Sequence, residues 1–456
     1  MNYSRRELLA LLGTPGFGAE TNSPNVVIIF FDDMGYGDPG CYGGQIPTPN
    51  IDRLAAQGVR FTSCNSASPL CSPSRAALLT GRYPTRVGVP RVLGPQAKDG
   101  LNADETTLAD VLKERHYKTM CVGKWHLGSL PQYLPTARGF DRYLGIPYSN
   151  DMHPRVLIRD TEVIENPANL ETLTGLYTKT AVSFIESSKD APFFLYFPHT
   201  FPHIPLGASD RFRGKSPLGD YGDVVQELDW SVGQVMSALK TNRLDSRTLV
   251  FLSSDNGPWY QGSPGRLRGR KGMNWEGGVR EPFIVRWPGK IPAGRVCNGV
   301  ASMLDVFPTV AKQCQARLPD KPLDGIDIWP LLSGESGDIP REPLLYFENV
   351  NLECLRWKNW KLHVSRSNTV KWSPAPSGGV QQFLLPRPEL YDLSRDPDES
   401  YDVAPQNPGV VKEMTARMEA AMTTFPTHIQ KAWADTKARK ADRTQTGNVT
   451  REERRD

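Results

Sequence analysis

The sequence predicts an α/β fold, with a mostly parallel central sheet flanked by helices and a smaller C-terminal α+β unit containing an antiparallel sheet. Three observations carry this. Apolar, β-branched runs at 25–31, 192–197 and 248–254 read as strands buried on both faces, the habit of parallel sheets. Helix-length segments at about 172–188 and 221–239 lie between them. Beyond Pro340–Arg341 the texture changes to short alternating segments at 344–347, 354–357, 360–364 and 389–393, with a turn at Asp396–Pro397.

The totals agree. A chain of 456 residues, 39% hydrophobic and 23% charged, can bury a large core and form more than one domain. Its 39 prolines and 40 glycines imply long functional loops. A formal charge of +4 does not argue for nucleic acid and suits an anionic substrate. No run is long and apolar enough for an integral membrane segment. Seven cysteines permit disulfides, but their spacings form no framework. At the N-terminus, Ser4-Arg5-Arg6 followed by leucines looks like a twin-arginine export signal, which would make residues 1–24 a leader and the protein periplasmic or secreted. A short amphipathic helix is the other reading.

In chain order, the first strand ends at Asp32-Asp33. Adjacent acids at the carboxyl end of a buried strand stand where open α/β sheets bind ligands, and they repel unless a cation lies between them. Ca²⁺ or Mg²⁺ suits their oxygens; a solvated turn is the alternative. Thr48-Pro49-Asn50 opens a helix, Gly58 closes it, and Val59–Phe61 enters the next strand. That strand leads to Leu70-Cys71-Ser72-Pro73-Ser74-Arg75 and Leu79-Thr80-Gly81-Arg82, read as a turn and short helix capped by Ser72, with Pro73 first and Gly81 at the exit. Cys71 then stands just ahead of a helix start that favours anions, with Arg75 one turn along. A buried structural cysteine is the plainer alternative.

A helix at 108–112 and a strand at 118–123 lead to Lys124-Trp125-His126, where lysine and histidine on an extended segment would face one way. Gly145-Ile146-Pro147-Tyr148-Ser149 reads as a turn. His199 and His203 project from a proline-rich loop after the 192–197 strand, and a histidine there could protonate a leaving alcohol. The 248–254 strand ends at Asp255-Asn256, a second pair of oxygen donors. Arg266, Arg268, Arg270 and Lys271 then make a basic loop, read either as solvated or as drawing in a polyanion. A strand at 283–287 and a helix from Asp305 follow. A helix at 411–422 closes the fold, and the Lys/Arg/Asp-rich stretch from about Thr427 reads as a charged, frayed tail. The boundaries are therefore 25–340, 341–426 and 427–456.

Taken together, Cys-x-Pro-Ser-Arg with Leu-Thr-Gly-Arg, Gly-Lys-Trp-His-Leu-Gly, Thr-Pro-Asn-x-Asp-x-Leu-Ala and Lys-Gly-x-x-x-Glu-Gly-Gly-x-Arg-Glu-Pro resemble the type I sulfatases, most nearly the arylsulfatase A and N-acetylgalactosamine-6-sulfatase branch. The resemblance runs from Asn25 to about residue 405 and implies an alkaline-phosphatase-like scaffold. It implies that Cys71 is oxidised to Cα-formylglycine by a formylglycine-generating or anaerobic sulfatase-maturating enzyme. Calcium is then held by Asp32, Asp33, Asp255 and Asn256 with an oxygen from the modified residue 71. Lys124, Lys271 and Arg75 offset charge on the sulfate and diol, Ser149 lies in the substrate pocket, and Asp255 accepts the attacking hydroxyl's proton. His203 protonates the leaving alcohol, and His126 takes the proton that lets the sulfated diol collapse. The substrate would be a sulfated carbohydrate or aryl sulfate. Two rivals remain open: a formylglycine-dependent phosphodiesterase or phosphonate hydrolase, and a silent sulfoglycan-binding protein should Cys71 stay unconverted.

Overall fold

The computed structural model describes residues 23–369, 376 and 379–439. The leader-like N-terminus therefore lies outside the described residues, as do residues 440–456.

The central strand is β1 (Asn25–Phe31), every residue of which is buried. It pairs in parallel with β7 (Phe193–Pro198) on one side and β8 (Thr248–Ser254) on the other. Two-sided burial explains its unbroken apolar sequence. The remaining strands of this sheet are β2 (Val59–Asn65), β3 (Lys118–Val122), β4 (Arg142–Gly145), β5 (Leu157–Arg159), β6 (Glu162–Glu165), β9 (Arg280–Arg286), β10 (Arg295–Cys297) and β11 (Ala301–Ser302). Among the described residues the order is β10-β2-β9-β8-β1-β7-β3-β4-β5-β6, with β11 beside β2. The middle is parallel, but β9 runs antiparallel between β2 and β8. The long helices Leu170–Ser187 and Gly219–Thr241 bury apolar faces on this layer, joined where Thr178 and Ser231 share a 2.6 Å hydrogen bond.

The second sheet is antiparallel, in the order β12 (Leu344–Glu348), β13 (Asn351–Trp357), β14 (Trp360–Ser367), β15 (Gln382–Asp392). Helices Pro408–Met422 and Thr427–Ala438 share its core, contributing Met414, Met418, Met422, Ile429 and Trp433. The second helix occupies the start of the expected charged tail. Its buried residues, Ile429, Trp433 and Thr436, recur at helical spacing among solvated charges, and that narrow stripe holds it down.

The first helix after β2 also starts earlier than expected. It spans Cys71–Thr80 with Leu70 at the cap position, so Cys71 lies in its first turn. Ser72 does not cap; its Oγ accepts the Leu93 N–H at 3.1 Å. Pro73 is tolerated because the first-turn amides have no partner within a helix anyway.

Candidate active site

The loops leaving the carboxyl ends of β1, β3, β7 and β8 are stitched together through the backbone. Asp32 N–H donates to Phe201 O at 3.1 Å, Asp255 N–H to Phe31 O at 3.1 Å and Lys124 N–H to Pro198 O at 2.7 Å. The last contact fixes the residue at 123. A Cβ there would stand 1.8 Å from Pro198 O, and φ is +128°, so glycine is required. Asp33 itself has φ +64°, and its N–H donates to Asp255 Oδ1 at 3.1 Å.

On this frame ten sequence-predicted residues converge. Cys71 Sγ lies 3.4 Å from Asp32 Oδ1 and 3.9 Å from Asp33 Oδ1. Lys124 Nζ bridges Asp32 Oδ2 at 2.6 Å and Ser149 Oγ at 3.1 Å. Lys271 Nζ meets Asp33 Oδ2 at 2.7 Å. Asn256 Nδ2 donates to Asp33 Oδ1 at 2.7 Å. His203 Nε2 stands 3.4 Å from Ser149 Oγ and 3.7 Å from Asp33 Oδ2. Arg75 runs underneath: Nε and Nη2 donate to Asp255 Oδ2 at 2.9 and 2.7 Å, and Nη1 to the Lys124 carbonyl at 2.9 Å. Arg75 thus braces Asp255 and the turn carrying Lys124.

His126 sits at one side, in a left-handed turn (φ +62°) rather than the extended segment expected. Its Nε2 bonds Leu93 O at 2.9 Å, which assigns the N–H to Nε2 and leaves the buried, unpartnered Nδ1 as a lone pair. His199 is separate. It is buried, lies against Phe31 and Phe197, and burial pushes its pKa down to about 3, the behaviour of a core histidine.

Burial sets the electrostatics, and the charges are matched. Desolvation favours a neutral Asp32, but Lys124, His203 and Arg75 together hold its pKa below the usual value. Asp255 is shifted the other way: burial raises it despite Arg75. Lys271 loses solvation too, yet Asp33 and its other neighbours keep it charged well above the ordinary lysine range. Burial drives the Cys71 thiol upward, so as a thiol it is a poor nucleophile here. Burial and then Lys271 lower His203, and burial and then Lys124 lower His126.

The residues fit a hard divalent cation. Single donor atoms of Asp32, Asp33, Cys71 and His203 lie within 4.8 Å of one another. Asn256 Oδ1 is buried with no hydrogen-bond partner. Carboxylates and an orphaned amide oxygen suit calcium or magnesium, while Lys124, Lys271 and Arg75 already balance Asp32, Asp33 and Asp255 one for one. A cation added to this set leaves net positive charge for an anion.

The basic loop behaves differently from a field of free charge. Arg268 stacks 3.7 Å from the Trp275 ring centroid and bonds Glu399 O, and Arg270 bonds Trp259 O and Gly262 O. Both hold the loop's shape. The sequence reading also passed over Glu281 on β9, which is buried with both carboxylate oxygens unpartnered and a pKa pushed well up by burial and then Asp255. Its signal was an acid entering an apolar strand. All seven cysteines are free.

The model of the family described as Sulfatase matches residues 24–316, and that of the C-terminal region of aryl-sulfatase matches 339–448. The chain is 38% identical to arylsulfatase A of Homo sapiens, covering 90% of this chain and 91% of that one. It is 38% identical to N-acetylgalactosamine-6-sulfatase of Canis lupus familiaris, covering 87% and 85%. A solved Bacteroides thetaiotaomicron structure, described under metabolism of multiple glycosaminoglycans, superposes with a TM-score of 0.78 at 31% identity, covering 88% of this chain and 99% of that one.

Proposed function

The chain belongs to the sulfatase family and is a sulfuric ester hydrolase, and from that premise we propose that it desulfates a sulfated carbohydrate at the Asp32–Asp33–Cys71 cluster. The observation that carries the site assignment is the convergence on Asp33. Cys71, Asp255, Asn256 and Lys271, drawn from three distant stretches of chain, all meet it. The carbohydrate reading draws support from the similarity to an N-acetylgalactosamine-6-sulfatase and to the glycosaminoglycan-locus protein.

In this reading Asp32, Asp33, Asp255 and Asn256 hold calcium, which when bound polarises a sulfate oxygen as a Lewis acid. Residue 71, converted to formylglycine by a maturation enzyme, supplies a hydrated aldehyde whose hydroxyl is the nucleophile. The chain's own groups do the rest. Lys124 and Lys271 are buried ammonium groups held beside the two acids, placed to offset negative charge on a sulfate ester where water is scarce. Ser149 Oγ, bonded to Lys124, orients that lysine and stands beside His203.

His203 Nδ1 bonds the Ile204 carbonyl, which fixes the ring and leaves Nε2 facing the cluster. With Nδ1–H engaged by that carbonyl, Nε2 carries a proton only in the imidazolium form, and that proton, held 3.7 Å from Asp33 Oδ2, is the one available to a departing alcohol oxygen. His126, with Nε2 engaged by Leu93 O, presents Nδ1 as the proton acceptor that releases sulfate from residue 71. Asp255, braced by Arg75, is the second acceptor, for the attacking hydroxyl's proton. On the twin-arginine-like leader, the enzyme works in the periplasm or outside the cell.

The test combines the intact mass of the residue-71 peptide with parallel kinetics on 4-nitrophenyl sulfate and 4-nitrophenyl phosphate. Conversion of the thiol to the aldehyde with preferential sulfate release is the expected result. Preferential phosphate hydrolysis would move the assignment to a phosphoester hydrolase, and a converted enzyme that releases neither would overturn it.

A further inference from the structure

The turn that follows β4 is held from two sides beside the proposed centre. Trp125 N–H donates to Ile146 O at 3.0 Å and His126 N–H to Pro147 O at 3.2 Å, which ties it to the segment bearing Lys124. Asn150, wholly buried, donates through Nδ2 to His203 O at 3.3 Å and Pro205 O at 3.0 Å, which ties it to the loop bearing His203. Met152 N–H closes the turn on Ser149 O at 3.1 Å. Ser149 and Asn150 are buried by this arrangement, and Asp151, the next residue, is exposed.

Asp151 has no part in the chemistry derived above, yet three groups of the cluster act on it. Desolvation raises its pKa, but His203, the Ser149 hydroxyl and Lys124 outweigh that and hold the carboxyl below the usual carboxylate range. It is an ionised acid near the histidine assigned to the leaving alcohol. It also stands outside the one-for-one balance of Asp32, Asp33 and Asp255 with Lys124, Lys271 and Arg75. A further negative charge at a sulfate site opposes the sulfate, so its use lies with another part of the substrate. The ring that departs with the alcohol oxygen lies on the His203 side, and its hydroxyls are donors. A carboxylate accepts from a hydroxyl with the strength of a charged hydrogen bond.

We propose that Asp151 is a specificity residue for the sugar: its carboxylate accepts a hydroxyl of the ring whose sulfate ester lies at the Asp32–Asp33–Cys71 cluster. The assignment rests on the sulfatase reading above and deepens it. It favours hydroxylated rings over plain aryl groups, which bring no donor, and it selects among sugars by where a free hydroxyl stands relative to the sulfate.

The test takes the sulfated monosaccharide the enzyme hydrolyses fastest and its monodeoxy analogues, each lacking one free hydroxyl. In the wild type one analogue should lose about 10–100-fold in kcat/KM, the range for a hydrogen bond to a charged group. Asp151→Ala should lose a similar factor on the parent sugar and little more on that analogue, so the preference for the hydroxyl collapses. A merely structural role would lower both substrates alike and leave the ratio standing. Asp151→Asn, which keeps an acceptor without the charge, should retain part of the preference and serves as the second variant if the alanine form fails to fold. A wild type indifferent to every deoxygenation, or a preference undiminished in both variants, would overturn the assignment. Failure of the sulfatase reading shows separately, as no sulfate release from 4-nitrophenyl sulfate or from any sulfated sugar.

Discussion

Lys271 Nζ lies 2.7 Å from Asp33 Oδ2 across 238 residues of sequence. Its counterpart, Lys124 on Asp32 at 2.6 Å, makes the adjacent acids a doubly bridged pair. All four side chains are nearly or wholly buried. Buried ion pairs are weak stabilisers, because desolvation consumes much of the attraction. Two such pairs side by side, next to a buried cysteine, are better explained by a charged ligand than by folding.

Lys271→Met should lower kcat on 4-nitrophenyl sulfate by about 10²–10³-fold, the usual cost of removing one preorganised group at developing charge. Lys271→Arg should recover part of the loss. Steady-state kinetics check both, and a Lys271→Met enzyme with unchanged kcat would remove this lysine from the chemistry.

His203→Gln should separate substrates by leaving group. An alkyl or sugar alcohol needs a proton as it departs, so its sulfate ester should lose about 10²–10⁴-fold. Nitrophenolate leaves readily as an anion, so the aryl sulfate should lose far less. Equal losses on the two would argue against proton donation by His203.

Chelation should abolish sulfate release, and added Ca²⁺ should restore it. Asn256→Ala removes the orphaned amide oxygen, so the Ca²⁺ concentration for half-maximal activity should rise. The free-Ca²⁺ dependence of kcat/KM measures this, and an activity indifferent to EGTA would count against the cation.

Glu276 anchors the two layers, accepting from Lys361 Nζ at 3.0 Å and Arg280 Nε at 2.6 Å, with Arg356 3.6 Å away. Burial raises its pKa, but Lys361, Arg280 and Arg356 outweigh that and hold it far below the ordinary glutamate value. A depressed folded-state pKa contributes stability that is fully present above the unfolded value, about 4.5, and is lost as pH falls toward the folded one. Glu276→Gln should therefore cost about 3–5 kcal/mol at pH 7 by stranding buried cations. The gap from wild type, read from urea unfolding, should shrink as pH drops below 4.5. A gap constant from pH 7 to 3 would contradict this account.

Much of this was readable in advance, for physical reasons that differ by element. β1 and β8 announce themselves because two-sided burial forces unbroken apolar runs, and the acids that end them sit where such sheets bind ligands. The antiparallel run of β9 was not legible: a buried strand has the same composition in either direction, and its partners are set by tertiary contacts. Helix Thr427–Ala438 was missed because its average composition is polar, although Ile429, Trp433 and Thr436 carried the period. Arg268 and Arg270 looked like free charge because a sequence does not show the Trp275 ring and the carbonyls that occupy them. The helix start was placed two residues too late because Ser72 resembles a cap, whereas Leu70 holds the cap position and the Ser72 hydroxyl serves the Leu93 amide.

The grip of Lys361 and Arg356 on Glu276 has a hereditary consequence. Glu276 stands five positions after Lys271, so strands β13 and β14, which supply Arg356 and Lys361, steady the segment bearing a charge-offsetting lysine. The carboxyl-terminal layer is then no detachable appendage. A gene truncated after residue 340 would strip Lys361 and Arg356 from buried Glu276 and leave it Arg280 alone, and recombination between relatives should keep both layers in one exchanged block.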